Sequence, residues 1–203
     1  MIGIINYGLG NLGSIQNMLR TIGARSIITN KVEELYECDH LILPGVGAFD
    51  AGMSKLNEAG LIEPIKNLAV QEKRPILGIC LGMQMLGRKS EEGHLKGLEL
   101  IPFDNIKFKF SHSDLKIPHM GWDVVNFKGN SPLIKNIHAG QRYYFVHSYH
   151  AVCDDSSNIL MTCDYGYTFT AAVVKNNIYG IQFHPEKSHD FGMKLLKNFV
   201  EEC

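Results

Sequence analysis

The chain has almost no excess charge: 20 Lys and Arg stand against 21 Asp and Glu over 203 residues, a formal balance of −1. No basic block gathers these charges, so the electrostatic footprint that nucleic-acid binding needs is missing. No C-x-x-C pair occurs, and the five cysteines, at 38, 80, 153, 163 and 203, are odd in number and scattered. This excludes a disulfide framework and predicts reduced thiols in a cytoplasm. No apolar run approaches the ~20 residues that span a bilayer, so no membrane partner is expected. Met1 to Asn6 is apolar but short, has no basic leader and meets Tyr7-Gly8 at once, which reads as a first strand rather than a signal peptide. No repeat, linker or low-complexity stretch interrupts the chain. What is left is one compact domain over residues 1–203, long enough for a full core.

Strand and helix alternate through the first half. Ile2 to Asn6, Ser26 to Thr29, His40 to Leu43 and Pro75 to Ile79 read as strands. Asn11 to Ile22, Ala51 to Glu58, Leu61 to Glu72 and Leu81 to Leu86 read as helices, with Asn11 a candidate cap. Such alternation predicts an α/β fold with a mostly parallel central sheet flanked by helices, its sites at the carboxyl ends of the strands. The second half reads as antiparallel additions: Leu98 to Ile101, Ile106 to Phe110, Asp123 to Phe127, Gln141 to Val146, Ile159 to Cys163, Phe169 to Val174 and Ile178 to Phe183. A hairpin is expected around Lys175-Asn-Asn177, and His189 to Glu202 closes as an amphipathic helix.

Chemistry concentrates at Gly78-Ile-Cys-Leu-Gly82, which places Cys80 on a strand-to-helix corner. The flanking glycines allow a strained turn that projects the sulfur into a pocket, a cysteine nucleophile elbow. The N–H groups of the helix that starts there would favour thiolate. An isolated cysteine in this setting would otherwise read as packing beneath a glycine turn. Phe183-His-Pro-Glu186 changes the balance, because in extended chain residues i and i+2 share a face, putting His184 and Glu186 in one space. A thiol, an imidazole and an acid to orient it are the parts of an activated nucleophile. Pro44-Gly-Val-Gly47 also follows a strand, and the Val46 and Leu81 amides, with Gly47 beside them, are candidates for an oxyanion hole. It is not a dinucleotide fingerprint, since the third glycine of that pattern fails at Asp50. His147 and His150 with His184 could suggest a metal site, but strand residues i and i+3 face opposite ways, and no metal is expected.

Gly78 to Gln84 with Phe183 to Glu186 resembles the class I, triad-type glutamine amidotransferases, whose fold is flavodoxin-like. Asn6 to Leu12, Pro44 to Phe49, Pro118 to Trp122 and Tyr144 to Tyr149 resemble, within them, the glutaminase subunits of imidazole glycerol phosphate synthase, and the likeness covers essentially the whole chain. It implies Cys80, His184 and Glu186 as a catalytic triad acting on glutamine without a cofactor. It implies substrate contacts at Gln84, Glu92, Ser148 and Tyr149; a carboxylate such as Glu92 suits an α-ammonium group. It implies a heterodimer with a (β/α)₈ cyclase that receives the ammonia and makes imidazole glycerol phosphate and an aminoimidazole carboxamide ribotide. His119, Trp122 and Lys187 would face that partner, although by sequence alone Trp122 reads as a core anchor, as lone tryptophans usually are, and Lys187 as an exposed lysine. Two other readings stay open: a paralogue supplying ammonia for acetamidino-sugar formation, and a catalytically silent docking partner.

Overall fold

The computed structural model describes residues 1–110 and 114–203. The first half runs β1 (Ile2–Ile5), α1 (Leu12–Thr21), β2 (Ser26–Thr29), α2 (Val32–Tyr36), β3 (His40–Gly45), α3 (Phe49–Glu58), α4 (Ile62–Val70) and β4 (Ile76–Cys80), and α5 (Leu81–Met85) starts directly from β4. Then come β5 (Lys89–Ser90), β6 (Phe103–Lys107), β7 (His119–Phe127), β8 (Arg142–His147), β9 (Tyr149–Cys153), β10 (Ile159–Tyr165), β11 (Tyr167–Lys175), β12 (Ile178–Ile181) and α6 (His189–Glu202). Among the described residues these strands join in one sheet, ordered β2-β1-β3-β4-β12-β11-β10-β7-β8, with β5, β6 and β9 branching from it. β2, β1, β3, β4 and β12 are mutually parallel; from β11 onward the pairing is antiparallel.

The reason lies in the side chains. β1 and β4 are buried along their whole length, as strands covered on both faces must be. Ile2, Ile4, Ile42, Leu77 and Ile79 pack on one face against Ile15 and Leu19 of α1 and Leu195, Leu196 and Phe199 of α6. Ile5, Leu41, Leu43 and Ile76 pack on the other, against α3, α4 and α5. Each such side chain contributes roughly 1.5–3 kcal/mol by leaving water. Helices thus sit on both faces, and the carboxyl ends of β3, β4 and β12 come side by side: Gly45 pairs with Cys80, and Ile181 with Ile79. No helix among the described residues is long and apolar enough to cross a membrane.

Several expectations need correction. Leu98 to Ile101 is not a strand; it wraps the end of α5, with the Leu98 N–H on the Met85 carbonyl and the Leu100 N–H on Leu86, while Glu99 takes a positive φ of 57°. The strand expected over Ile106 to Phe110 lies at Phe103–Lys107. α2 and β9 form where the sequence pattern gave no element. The strand into His184 ends at Ile181, and Pro185–Lys187 is a 3₁₀ turn rather than extended chain. Asn11 does stand before α1, but its side chain accepts from the Ser14 hydroxyl at 2.9 Å and caps no backbone N–H. The hairpin falls at Lys175–Ile178 with Asn176 at φ 55°, and α6 spans His189–Glu202 as expected.

Candidate active site

Cys80 is the last residue of β4 and immediately precedes α5, with φ 54° and ψ −111°. For a residue with a Cβ this is a sparsely populated conformation costing of order 1–3 kcal/mol, kept only where the surroundings dictate it. The surroundings are the two flanking glycines. A Cβ at Gly82 would stand 1.8 Å from the Leu43 carbonyl oxygen, and one at Gly78 would stand 2.7 Å from the Gly82 carbonyl oxygen and the Met83 nitrogen. Backbone on backbone cannot yield, so α5 is pressed against β3 and β4 and the corner must be this sharp.

His184 bridges to Tyr144 of β8, its N–H donating to the Tyr144 carbonyl at 2.9 Å. Ser188 locks the turn from behind: its hydroxyl donates to the His184 carbonyl at 2.6 Å and accepts the Tyr144 N–H at 3.0 Å. Within this turn His184 Nδ1 stands 2.8 Å from Glu186 Oε1, and both side chains are 2% exposed. A carboxylate only accepts, so Nδ1 carries a proton toward Glu186 and Nε2 is turned to the other side of the ring. Nε2 is buried without an ordinary hydrogen-bond partner and interacts with the Cys80 sulfur. Burial by itself lowers the His184 pKa, but the Cys80 sulfur and the Glu186 carboxylate together outweigh it and raise the group well above the usual histidine range. Burial pushes the other four thiols up, Cys153 and Cys163 to about 12 and Cys203 to about 11, and Cys38 likewise upward.

Cys80 and His184 share a cleft of about 280 Å³, near the lower end for small-ligand sites. Val46, Gly47, Leu81, Gln84, Glu92, Ser148 and Tyr149 all line it with Cys80 and His184. The Val46 N–H takes no hydrogen-bond partner among the described residues. Gly47 holds φ 103° in open space, whereas a Cβ at Gly45 would strike the Tyr7 hydroxyl at 2.5 Å. That hydroxyl donates to the Pro44 carbonyl at 2.7 Å, bracing the loop from below, a role for Tyr7 that its glycine-rich turn alone did not reveal. Glu92 reaches the cleft from the loop after β5 and accepts the Phe49 N–H with Oε2 at 2.8 Å, leaving the other oxygen uncommitted. A larger hollow of about 660 Å³, bordered by Gln16, Asn17, Arg20 and Arg25, holds neither thiol nor imidazole.

The residues expected to face a partner separate. Trp122 is half-buried, stacked flat on His189 with centroids 5.6 Å apart, and Lys187 is exposed with Nζ 5.4 Å above the Tyr144 ring. His119 is 1% exposed and points inward, so it supports β7 from beneath and presents no surface. Its Nδ1 meets His147 Nε2 at 3.0 Å and its Nε2 meets Asp123 Oδ2 at 2.8 Å, while His147 Nδ1 donates to the Tyr149 carbonyl at 2.8 Å. His147 and His150 are divided by a strand corner, not by continuous strand, and both rings lie against Phe108. Sequence reasoning missed Gln182 and Ser188, although the signal was present, as polar residues beside His184 and Glu186 that the fold buries completely, and it weighed His147 only as a metal ligand, not as a support for the cleft.

The glutamine amidotransferase class-I family matches residues 3–203. The chain belongs to that family. This class-I glutamine amidotransferase is 55% identical over 203 residues to imidazole glycerol phosphate synthase subunit HisH 2 of Methanococcus maripaludis, covering all of both chains. It is 48% identical over 201 residues to the Pseudomonas aeruginosa protein of the same name, covering 99% of each. Among solved structures it resembles PurLQS from Thermotoga maritima, with TM-score 0.74 and 18% identity over 98% of this chain and 96% of that one. A glutamine amidotransferase from the same organism superposes with TM-score 0.67 at 16% identity, covering 98% and 96%. At such identities the structures speak for the fold, which is the family's α/β architecture.

Proposed function

We propose that this amidotransferase, acting as one domain over residues 1–203, is the glutamine-hydrolysing subunit of an imidazole glycerol phosphate synthase in histidine biosynthesis, with Cys80 as nucleophile. The observation that carries the site assignment is the strained Cys80 elbow facing an imidazole whose far nitrogen is 2.8 Å from a buried carboxylate. The relatives' shared name supports the pathway. The raised pKa of His184 suits a protonated imidazole beside the sulfur, ready to hand its proton on. The Cys80 thiolate attacks the side-chain carbonyl carbon of glutamine, forming a C–S bond and an oxyanion held by the Val46 and Leu81 amides, with Gly47 giving the loop its turn. His184 Nε2 passes its proton to the amide nitrogen as the C–N bond breaks, and ammonia leaves. The same nitrogen then takes a proton from water as the water attacks the thioester; the C–S bond breaks and glutamate departs. Glu92 receives the α-ammonium group, and Gln84, Ser148 and Tyr149 form the opposite wall. No cofactor enters these steps.

The ammonia goes to a (β/α)₈ cyclase in a cytoplasmic heterodimer, engaged through the face that carries Trp122 and Lys187. Cys80→Ala in that complex should abolish glutamine-dependent synthesis while synthesis from free ammonia persists; retained glutamine turnover would refute the nucleophile. Co-purification from the native host tests the pathway. Capture of a histidine-pathway barrel supports it, and capture of an amidino-sugar barrel would replace the pathway while leaving the glutaminase.

A further inference from the structure

Two buried carboxamides join the wall of the cleft to its sulfur. Gln182 is fully buried and lies one residue past the Ile181–Ile79 pair, which brings it opposite Cys80. Its Nε2 is 3.7 Å from Cys80 Sγ, and its Oε1 accepts from Gln84 Nε2 at 3.0 Å. The two ends of a carboxamide are nearly alike in shape, so which end faces the sulfur must be settled by bonding logic. A backbone carbonyl settles it. Gln84 also reaches the Tyr149 carbonyl oxygen at 3.2 Å, and that oxygen can only accept, so the Gln84 NH₂ lies there. Its partner on Gln182 must then be oxygen, which leaves the Gln182 NH₂ for the sulfur. The Tyr149 carbonyl is held a second time by His147 Nδ1, so the reference point of the chain is itself fixed.

We propose that Gln182 is a positioning residue of the nucleophile: its amide N–H, oriented through Gln84 by the Tyr149 carbonyl, donates to the Cys80 sulfur and holds it as thiolate beside His184. The inference rests on Cys80 being the nucleophile. A donor aimed at the charged form favours that form. A Gln182 that only filled space and satisfied Gln84 would leave the ionisation of the sulfur untouched.

The test is the pH dependence of iodoacetamide alkylation at Cys80, read by peptide mass spectrometry on the full chain, with kcat and KM measured in the complex. Gln182→Met keeps length without the N–H and should raise the alkylation midpoint by about one pH unit and lower kcat at neutral pH roughly tenfold, with a smaller change in KM. Gln182→Glu turns a carboxylate toward the sulfur and should raise the midpoint further. A folded Gln182→Met with the wild-type midpoint would overturn the proposal. If that variant does not fold, Gln84→Met gives the same reading: it frees the Gln182 amide to rotate and should raise the midpoint by a lesser amount, and no shift there is equally fatal. The underlying reading fails separately, by a wild-type Cys80 midpoint at the ordinary thiol value of about 8.5 together with glutamine turnover that survives Cys80→Ala.

Discussion

Cys80 stands in a conformation that glycine would occupy freely, and the chain keeps a sulfur there. A strained nucleophile makes stability and activity pull apart, which two inactive variants can separate. Cys80→Gly should melt above Cys80→Ala by a few degrees, because only the alanine retains the Cβ that makes φ 54° costly, about 1 kcal/mol or more. Equal melting temperatures in calorimetry would mean that the elbow carries no strain. Glu186 acts through the imidazole. Glu186→Gln should cut turnover by up to about 10⁴ while thioester still forms slowly, since a misplaced His184 is the cost of losing an orienting acid. Wild-type rates would reduce Glu186 to packing. This pair was legible in the sequence for a reason that the fold does not honour. His184 and Glu186 meet because a 3₁₀ turn, held by Ser188, folds the carboxylate back on the ring, and not because extended residues share a face. His119 was misread for a related reason. A motif gives residue types in order, while the inward or outward direction of each depends on the pleat of a strand whose start, at His119, was not visible.

Among the elements, the corners matter more than the strands. The glycines around the site answer to two different constraints and should respond differently to a methyl group. Gly82→Ala would drive a Cβ into the Leu43 carbonyl, so β3 and α5 must separate; that should cost about 3 kcal/mol or more and show as a collapse of the melting temperature. Gly47→Ala meets nothing, and its positive φ costs only about 1–2 kcal/mol, so the protein should stay folded. Glutamine turnover in the Gly47→Ala complex should still fall by about 10²–10³ if the loop must deliver the Val46 N–H to the oxyanion. A Gly47→Ala enzyme of undiminished kcat would exclude the loop from the chemistry. The parallel half of the sheet was readable because strands buried on both faces are unbroken apolar runs between helical repeats. β9 was not, because Tyr149–Cys153 takes its place by pairing with β6 and β11, partners far away in sequence. Leu98 to Ile101 has a strand's apolar content, but the backbone groups of α5's last turn claim its N–H groups first.

At the scale of the whole molecule, burial works against the charged form of three histidines. Burial, outweighing the hydrogen bond to the Tyr149 carbonyl, lowers the His147 pKa to about 3, and burial also lowers His119 and His150. An unfolded histidine titrates near 6.5. With the folded value depressed, the unfolded chain binds more protons below that pH, so stability should fall as pH drops from about 6.5 toward 3. At pH 5 the His147 share is about 2 kcal/mol. His184 has the opposite sign: its raised pKa gives stability that is full below 6.5 and is lost as the solution turns alkaline. Urea midpoints at pH 7 and pH 5 test this; the pH 5 midpoint should be clearly lower, and His147→Gln should narrow the gap. Coincident midpoints would mean that these rings are reached by water.

The sheet has two cores, and the chain crosses from one to the other between two consecutive residues: Cys80 packs with the α1 and α6 side, Leu81 with the α3, α4 and α5 side. The elbow is therefore riveted at the seam of the molecule. Amide hydrogen exchange should follow this arrangement, with the N–H groups of Ile76–Cys80 among the last to exchange, because freeing them requires both faces to open together. Reagents that probe local breathing would then reach the edge strands long before the sulfur's backbone. A reactive thiol whose backbone opens only when the whole fold opens keeps its aim for as long as the protein stays folded, and it is freed from the elbow only when the protein comes apart.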